Sequence, residues 1–312
     1  MKLVYRILFF FLYLLSLLPL RLLYFFSDCL FFPLFYVVKY RRKVVEKQLD
    51  ECFPEKSMKE KRDIERRFYH FFCDYLMEVI KLFSISKKEM MRRMEFVGLD
   101  EVRADLEREN KKFCFLYLGH YCNWEYIASL AYWLPEIHCG QIYHRIYNQS
   151  FDDLFLKLRG QFGGESILMK DTLRRILTLR GQEKKVMIGF ISDQLPKWEN
   201  MNHWTTFLNH ETSFFIGAER IAKQVDAALY YVRVERVRRG YYRASFECMA
   251  LHPKEYSDYE LTDLYARRLE EQIRQQPGYW LWTHKRWKRT KEDWLKWKED
   301  NKPVGGINLV HT

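Results

Sequence analysis

The sequence predicts an α/β fold, with a mostly parallel central sheet flanked by helices, behind an N-terminal membrane-anchoring helix. Three observations predict it. Short, wholly apolar runs such as Phe113–Leu118 and Val186–Ile191 read as strands buried on both faces. Between such runs the apolar spacing shifts to the helical period, the alternation that builds parallel sheets. Ahead of both, residues 7–38 are almost continuously apolar.

The elements follow in chain order. Residues 7–26 are long enough to span a hydrocarbon core if Arg21 reaches toward the headgroups, with Pro19 and Pro33 as breakers. No small-residue cleavage site follows, so the stretch reads as an anchor rather than a signal peptide. Lys39, Arg41, Arg42 and Lys43 come directly after it and orient the remaining chain toward the cytoplasm. The division expected is an anchor and basic flank over residues 1–43 and a catalytic domain over residues 44–312. Within that domain, Ile64, Phe68, Phe71, Tyr75, Val79 and Leu82 give helical spacing over residues 57–84. After the Phe113–Leu118 strand, residues 124–134 read as helix and 137–143 as strand. Residues 151–162 read as helix, 167–169 as extended chain and 173–179 as helix. Residues 227–234 and 241–249 form an expected strand pair around the Arg239-Gly240 turn, and Glu260–Gln275 an amphipathic helix. The polar segment 196–210 is the one evident linker, expected to be a mobile loop beside the site.

Composition narrows the function. The chain has 312 residues, with 52 Lys plus Arg against 41 Asp plus Glu, a formal charge of +11 that favours an anionic partner. A 48% hydrophobic content supports a sizeable core and excludes a disordered chain. Seven widely spaced cysteines without a CxxC pair argue against a disulfide framework or a zinc knuckle and for reduced thiols.

The chemistry centres on Leu118-Gly119-His120-Tyr121-Cys122-Asn123-Trp124-Glu125. As a bare spacing, His120 and Glu125 carry little information. Their position carries more, because His120 directly follows a buried strand, where α/β folds place their ligands. Five residues along a regular helix turn two side chains about 140° apart. The pair can therefore meet only if His120 lies in the loop and Glu125 in the first helical turn. That arrangement suits general base chemistry, the carboxylate fixing the imidazole tautomer. A satisfied loop histidine beside a solvent-facing glutamate is the alternative.

The strand-Gly-His-x4-Glu element is similar to the H-x4-[DE] motif of glycerolipid acyltransferases. More specifically, the chain resembles the bacterial lipid A biosynthesis (late lauroyl/myristoyl) acyltransferases. The landmarks recur in order: residues 42–54 ending in Phe53-Pro54, then His120 to Glu125, Tyr143 to Asn148, Arg159, Asp193-Gln194, and residues 277–288, which contain Trp282-Thr283-His284-Lys285-Arg286-Trp287-Lys288. Tyr143-His144-Arg145 stands where the family has Tyr-Arg-Pro, and Phe207-Leu208-Asn209 where it has Phe-Phe-Gly.

The resemblance implies acyl transfer from an acyl carrier protein or CoA thioester to a lipid A precursor at the inner membrane, with no metal or redox cofactor. It makes His120 the base and Glu125 its orienter. Arg159, Asp193, Asn123 and Tyr143 become the substrate- or oxyanion-binding residues, Arg159 because a guanidinium holds anions bidentately. An ordinary surface role for Arg159 and a turn role for Asp193 remain open. Other lipid acceptors, such as a lysophospholipid or an aminoacyl lipid, fit the same chemistry, and so does a non-catalytic anion-binding protein. The basic, tryptophan-rich segment from Trp280 to Trp297 fits lipid phosphates, an acidic carrier protein or nucleic acid. The anchor favours the first two over nucleic acid.

Overall fold

The structure is a computed structural model and describes residues 3–301, so the end of the expected domain, residues 302–312, lies outside the described residues. The N-terminal apolar stretch is not one helix. Pro19 lacks the backbone donor that a continuing helix needs, so α1 (Leu3–Ser16) ends before it and α2 (Leu20–Phe32) begins after it. A π-turn over Pro33–Val37 extends α2, making Leu20–Val37 the one stretch long and apolar enough to cross a membrane among the described residues. The expected span 7–26 is thus replaced by two helices meeting at an elbow.

Three helices follow: α3 (Arg42–Cys52), α4 (Met58–Lys81) and α5 (Lys87–Arg93). The start of α4 is set by a capping box, Ser57 accepting from the Glu60 backbone while the Glu60 side chain returns to Ser57. Its buried face runs through Ile64, Phe68, Phe71 and Tyr75, the helical spacing read from the sequence.

The sheet has seven strands in the order β1-β9-β8-β2-β5-β3-β4. These are β1 (Met94–Val97), β2 (Phe113–Leu118), β3 (His138–Tyr143), β4 (Glu165–Leu168), β5 (Val186–Ile191), β8 (Ala228–Arg238) and β9 (Tyr241–Ala250). All neighbours are parallel except β8 and β9, which pair antiparallel around Arg239-Gly240. Every residue of β2 is buried, as a central strand between β8 and β5 requires. Helices α6 (Leu99–Arg108), α7 (Gln149–Gly160), α8 (Thr172–Leu179), α9 (Gly217–Val225) and α10 (Glu260–Gln275) connect or cover the strands, and α11 (Lys291–Asp300) follows.

Two expectations change in detail. Residues 124–132 form a 3₁₀ helix rather than an α-helix. The segment 196–210 is not merely a loop. It contains a 3₁₀ turn, whose Trp198 stacks on Trp297, and the strand β6 (Trp204–Phe207), which pairs antiparallel with β7 (His210–Ser213) and sets Trp204 at a tilt against Trp294.

Candidate active site

Strand register builds the site. Leu118 of β2 lies opposite Ile191 of β5, so Gly119-His120 and Ser192-Asp193 leave the sheet side by side at its carboxyl edge. Tyr143 ends β3, the neighbour of β5 on the other side.

Gly119 is demanded by space. A Cβ there would lie 2.6 Å from Leu269 Cδ1 and 3.4 Å from Asp193 Oδ2. Gly119→Ala is therefore expected to destabilise the fold by about 1–3 kcal/mol, the usual cost of overpacking. Trimming the obstacle in a Gly119→Ala/Leu269→Ala pair should return part of that loss in thermal unfolding, and strict additivity would refute the clash.

His120 is held chiefly by Asp193. Its backbone N–H donates to Asp193 Oδ2 at 2.9 Å, and its Nδ1 lies 2.6 Å from Asp193 Oδ1. An ionised carboxylate only accepts, so Nδ1 carries the proton and Nε2 is left with a free lone pair. The His120 side chain is 20% exposed while Asp193 is 2% exposed, so the acid is buried behind a base that reaches solvent. Burial works against the Asp193 carboxylate. The charge and hydrogen bonds of His120, joined by the Trp280 indole N–H at 2.8 Å, nonetheless hold its carboxyl below the ordinary range. The Gln194 side-chain nitrogen lies 3.5 Å from His120 Nε2, at the edge of the open side. A base held in one tautomer by a buried carboxylate can take a proton from a hydroxyl and return it to a leaving group.

Glu125 stands elsewhere. Its carboxylate is gripped by Arg159, with Nε 2.8 Å from Oε2 and Nη2 2.6 Å from Oε1. No hydrogen bond joins it to His120, whose Nδ1 meets Asp193 instead. The physical reason is the competition for a buried carboxylate: a guanidinium fork meets both oxygens at once, an imidazole only one. Burial disfavours the Arg159 charge, but Glu125 more than offsets this and holds the group above its ordinary range. Two of the Arg159 nitrogens are thereby committed, and Nη1 has no protein partner among the described residues.

Asn123 was expected at the substrate, and it faces inward. It is fully buried, its amide N–H donating to Glu78 Oε2 at 2.7 Å and its carbonyl capping the Tyr126 N–H. Glu78, also fully buried, accepts in addition from Tyr242 Oη and from Tyr24 Oη of α2. Asn123 is thus tied into the loop by these inward contacts. Tyr143 is partly buried, and its phenol is pushed up by burial first and by Asp152 second.

Two partners escaped the sequence reading. Trp280, which the sequence places in the 277–288 landmark and the basic aromatic tail without a role at the site, donates to Asp193, and its backbone bridges Tyr121 while Leu281 N–H donates to the His120 carbonyl. His284 accepts from the Leu195 N–H through Nε2 at 3.3 Å, steadying the loop that carries Asp193 and Gln194. The presence of both in the 277–288 landmark is the available signal. Nor is that segment a uniform cationic face. Arg286 is fully buried and donates to Thr212 Oγ1 and the Ser213 carbonyl, and burial pushes its guanidinium down to about 10.

Burial pushes His284 down from the ordinary 6.5 to about 4. Between those values the unfolded chain binds a proton that the folded chain refuses, so stability falls as pH falls through that window. A His284→Gln variant should lose less stability than the parent between pH 6.5 and pH 4. Parallel losses in denaturant titrations would remove His284 from this role.

A mostly parallel sheet that carries a histidine, paired with a buried carboxylate, just beyond its central strand has the layout of an α/β enzyme. Residues 2–289 match the bacterial lipid A biosynthesis acyltransferase family, and the chain belongs to that family. It is accordingly an acyltransferase of lipid A biosynthesis. No curated protein matches the chain.

Proposed function

We propose that the chain moves a long fatty acyl group from a carrier-protein or CoA thioester to a hydroxyl of a lipid A precursor, at the cytoplasmic face of the inner membrane. His120 Nε2 takes the proton of the acceptor hydroxyl as its oxygen attacks the thioester carbonyl carbon. The tetrahedral oxyanion collapses, the carbon–sulfur bond breaks, and the imidazolium returns its proton to the departing thiolate. Asp193 fixes the tautomer and stabilises the imidazolium, as a buried carboxylate does for a catalytic histidine. Arg159 Nη1 and the Gln194 amide supply donors for the oxyanion. Glu125 acts through Arg159, and Tyr143 borders the acceptor.

The observation that carries this reading is the His120–Asp193 pair at the carboxyl edge of β2 and β5, its imidazole partly exposed and its carboxylate buried. A covalent acyl-enzyme has no support. Cys122, inside the motif, is fully buried, and desolvation pushes its thiol far above the ordinary range.

The test is an assay of detergent-solubilised protein with loaded acyl carrier protein or acyl-CoA, an under-acylated lipid A precursor, and mass-spectrometric detection. A gain of one acyl group from either donor supports the reading and distinguishes the donors. Acylation of a lysophospholipid or aminoacyl lipid instead would keep the mechanism and change the acceptor, a second reading that the Tyr143-His144-Arg145 departure keeps open. No product on any acceptor would refute both.

A further inference from the structure

We propose that α1 and α2 lie together in one leaflet, as an in-plane pair, and that the chain rests on the bilayer without crossing it. This rests on the membrane attachment proposed above and not on the catalytic mechanism.

Helix α1 is fastened to the body at both ends. Near its start, Tyr5 Oη accepts from Asn148 Nδ2 at 2.7 Å, and Tyr5 and Phe9 meet the edge of Phe151 with ring centres 5.9 and 5.6 Å apart. At its end, the Ser16 carbonyl accepts from Lys81 Nζ at 2.7 Å and from Ser84 Oγ at 2.6 Å. Tyr5 and Ser16 are separated by about 16 Å of helix at the standard rise. A helix clipped to the catalytic body across that length runs along the body's surface. It cannot also cross a bilayer that leaves the body in water.

Helix α2 is constrained in the same way. Leu20, Leu23, Tyr24, Ser27 and Phe31 form its buried side. Tyr24 Oη donates to Glu78 and Ser27 Oγ to Asp74, both on α4, at 2.8 and 2.7 Å. Arg239, at the β8–β9 turn, donates to Asp28 at 2.6 Å. Asp28 is 55% exposed in that pair and Arg239 37%. An ion pair so open suits wet headgroups and would be costly at the centre of the hydrocarbon, where a spanning Leu20–Val37 would put it. Gly240 confirms how close the turn and helix sit, since a Cβ there would run into Tyr24 Oη.

The opposite side of the pair is apolar and open. Phe10, Phe11, Leu17, Phe25, Phe26 and Phe32 are each 39–62% exposed, large apolar side chains left open on both helices among the described residues. Exposed cations bracket it: Arg21 at the elbow, and Lys39 and Arg41 beyond the end of α2. Arg41 donates to the Thr283 carbonyl, which brings Lys285, Lys288 and Arg289 into the same positive region, where Lys288 is pushed down by burial and by those like charges. None of these six cations has an acidic partner within 4 Å among the described residues. An apolar face edged by uncompensated cations matches an anionic leaflet, with rings below the headgroups and charges among them. A protein partner would have to supply both a large apolar surface and acidic edges.

The test uses the full chain with a short cleavable tag at each end and a reporter at the elbow, Arg21→Cys, with the exposed Cys29 and Cys248 replaced by serine. Protease and an impermeant maleimide are applied to spheroplasts and to inverted membrane vesicles. Both tags are expected to be cut from one side only, and the elbow to react from that same side. Tags cut from opposite sides would establish a single crossing, and an elbow reacting from the far side a crossing hairpin; either overturns the proposal. Recovery in the soluble fraction would overturn the membrane attachment itself. In protein-free vesicles containing anionic lipid, a Phe25→Ser/Phe32→Ser pair should lower partitioning by about tenfold or more, since two aromatic rings leave the lipid. Its acyl transfer to detergent-dispersed substrates should be unchanged. Failure of the parent to bind such vesicles, or unchanged binding by the variant, would assign the face to another occupant.

Discussion

Replacing His120 with alanine is expected to lower acyl-transfer turnover by about 10²–10⁴-fold, the usual worth of a positioned general base. The fold should survive, because the side chain is partly exposed and its buried neighbour Asp193 keeps the Trp280 indole and the residue 120 backbone N–H as donors. Asp193→Asn makes the sharper experiment. Trp280 and the His120 N–H both donate to Oδ2, so the asparagine oxygen is drawn to that position and its NH₂ turns toward His120 Nδ1. A donor there forces Nδ1 to accept, moves the ring proton to Nε2 and removes the lone pair the reaction needs. Asp193→Asn is therefore expected to lower turnover by about 10²-fold or more, with KM little changed and with no addition to the loss in His120→Ala. Activity near wild type in Asp193→Asn, measured in the same assay, would return the orienting role to another residue.

The parts of this site that were legible in the sequence were the local ones. Phe113–Leu118 and Val186–Ile191 were plain because strands buried on both faces must be apolar throughout, and His120 stood out because it directly follows one of them. Glu260–Gln275 was plain because a helix with one buried face keeps its period. The partner of His120 was not local. Asp193 lies 73 positions away and reaches His120 only because β2 and β5 are neighbours in register, a pairing that periodicity does not encode. The same holds for Trp280 and Glu78, whose hydrogen bonds join segments far apart in the chain. The broken N-terminal helix is a different case. Pro19 was visible as a breaker, but the length and greasiness of residues 7–26 outweighed it. What decided the outcome was the set of polar contacts that Ser16, Tyr24 and Ser27 make with α4 and the turn just beyond it.

Glu125→Gln is expected to destabilise the protein by about 2–3 kcal/mol while leaving the shape of the site intact. Removing one charge of a buried pair commonly costs about 3–5 kcal/mol, because the remaining charge stays desolvated and unpaired. The Arg159 side chain is 21% exposed and Glu125 4%, so partial hydration of the guanidinium places the expected cost below that range. A drop in Tm of about 5 °C or more should register it. The second half of a cycle separates structure from chemistry. In Glu125→Gln/Arg159→Met no uncompensated cation remains, and stability should recover by about 1 kcal/mol or more relative to the single variant. Turnover should not recover, because the double variant has lost the nitrogen proposed to face the oxyanion. Recovery of both would make the ion pair scaffolding alone. A single variant as stable as the parent would show that the Arg159 charge needs no partner at this position, and the motif glutamate would then require a role in the chemistry itself.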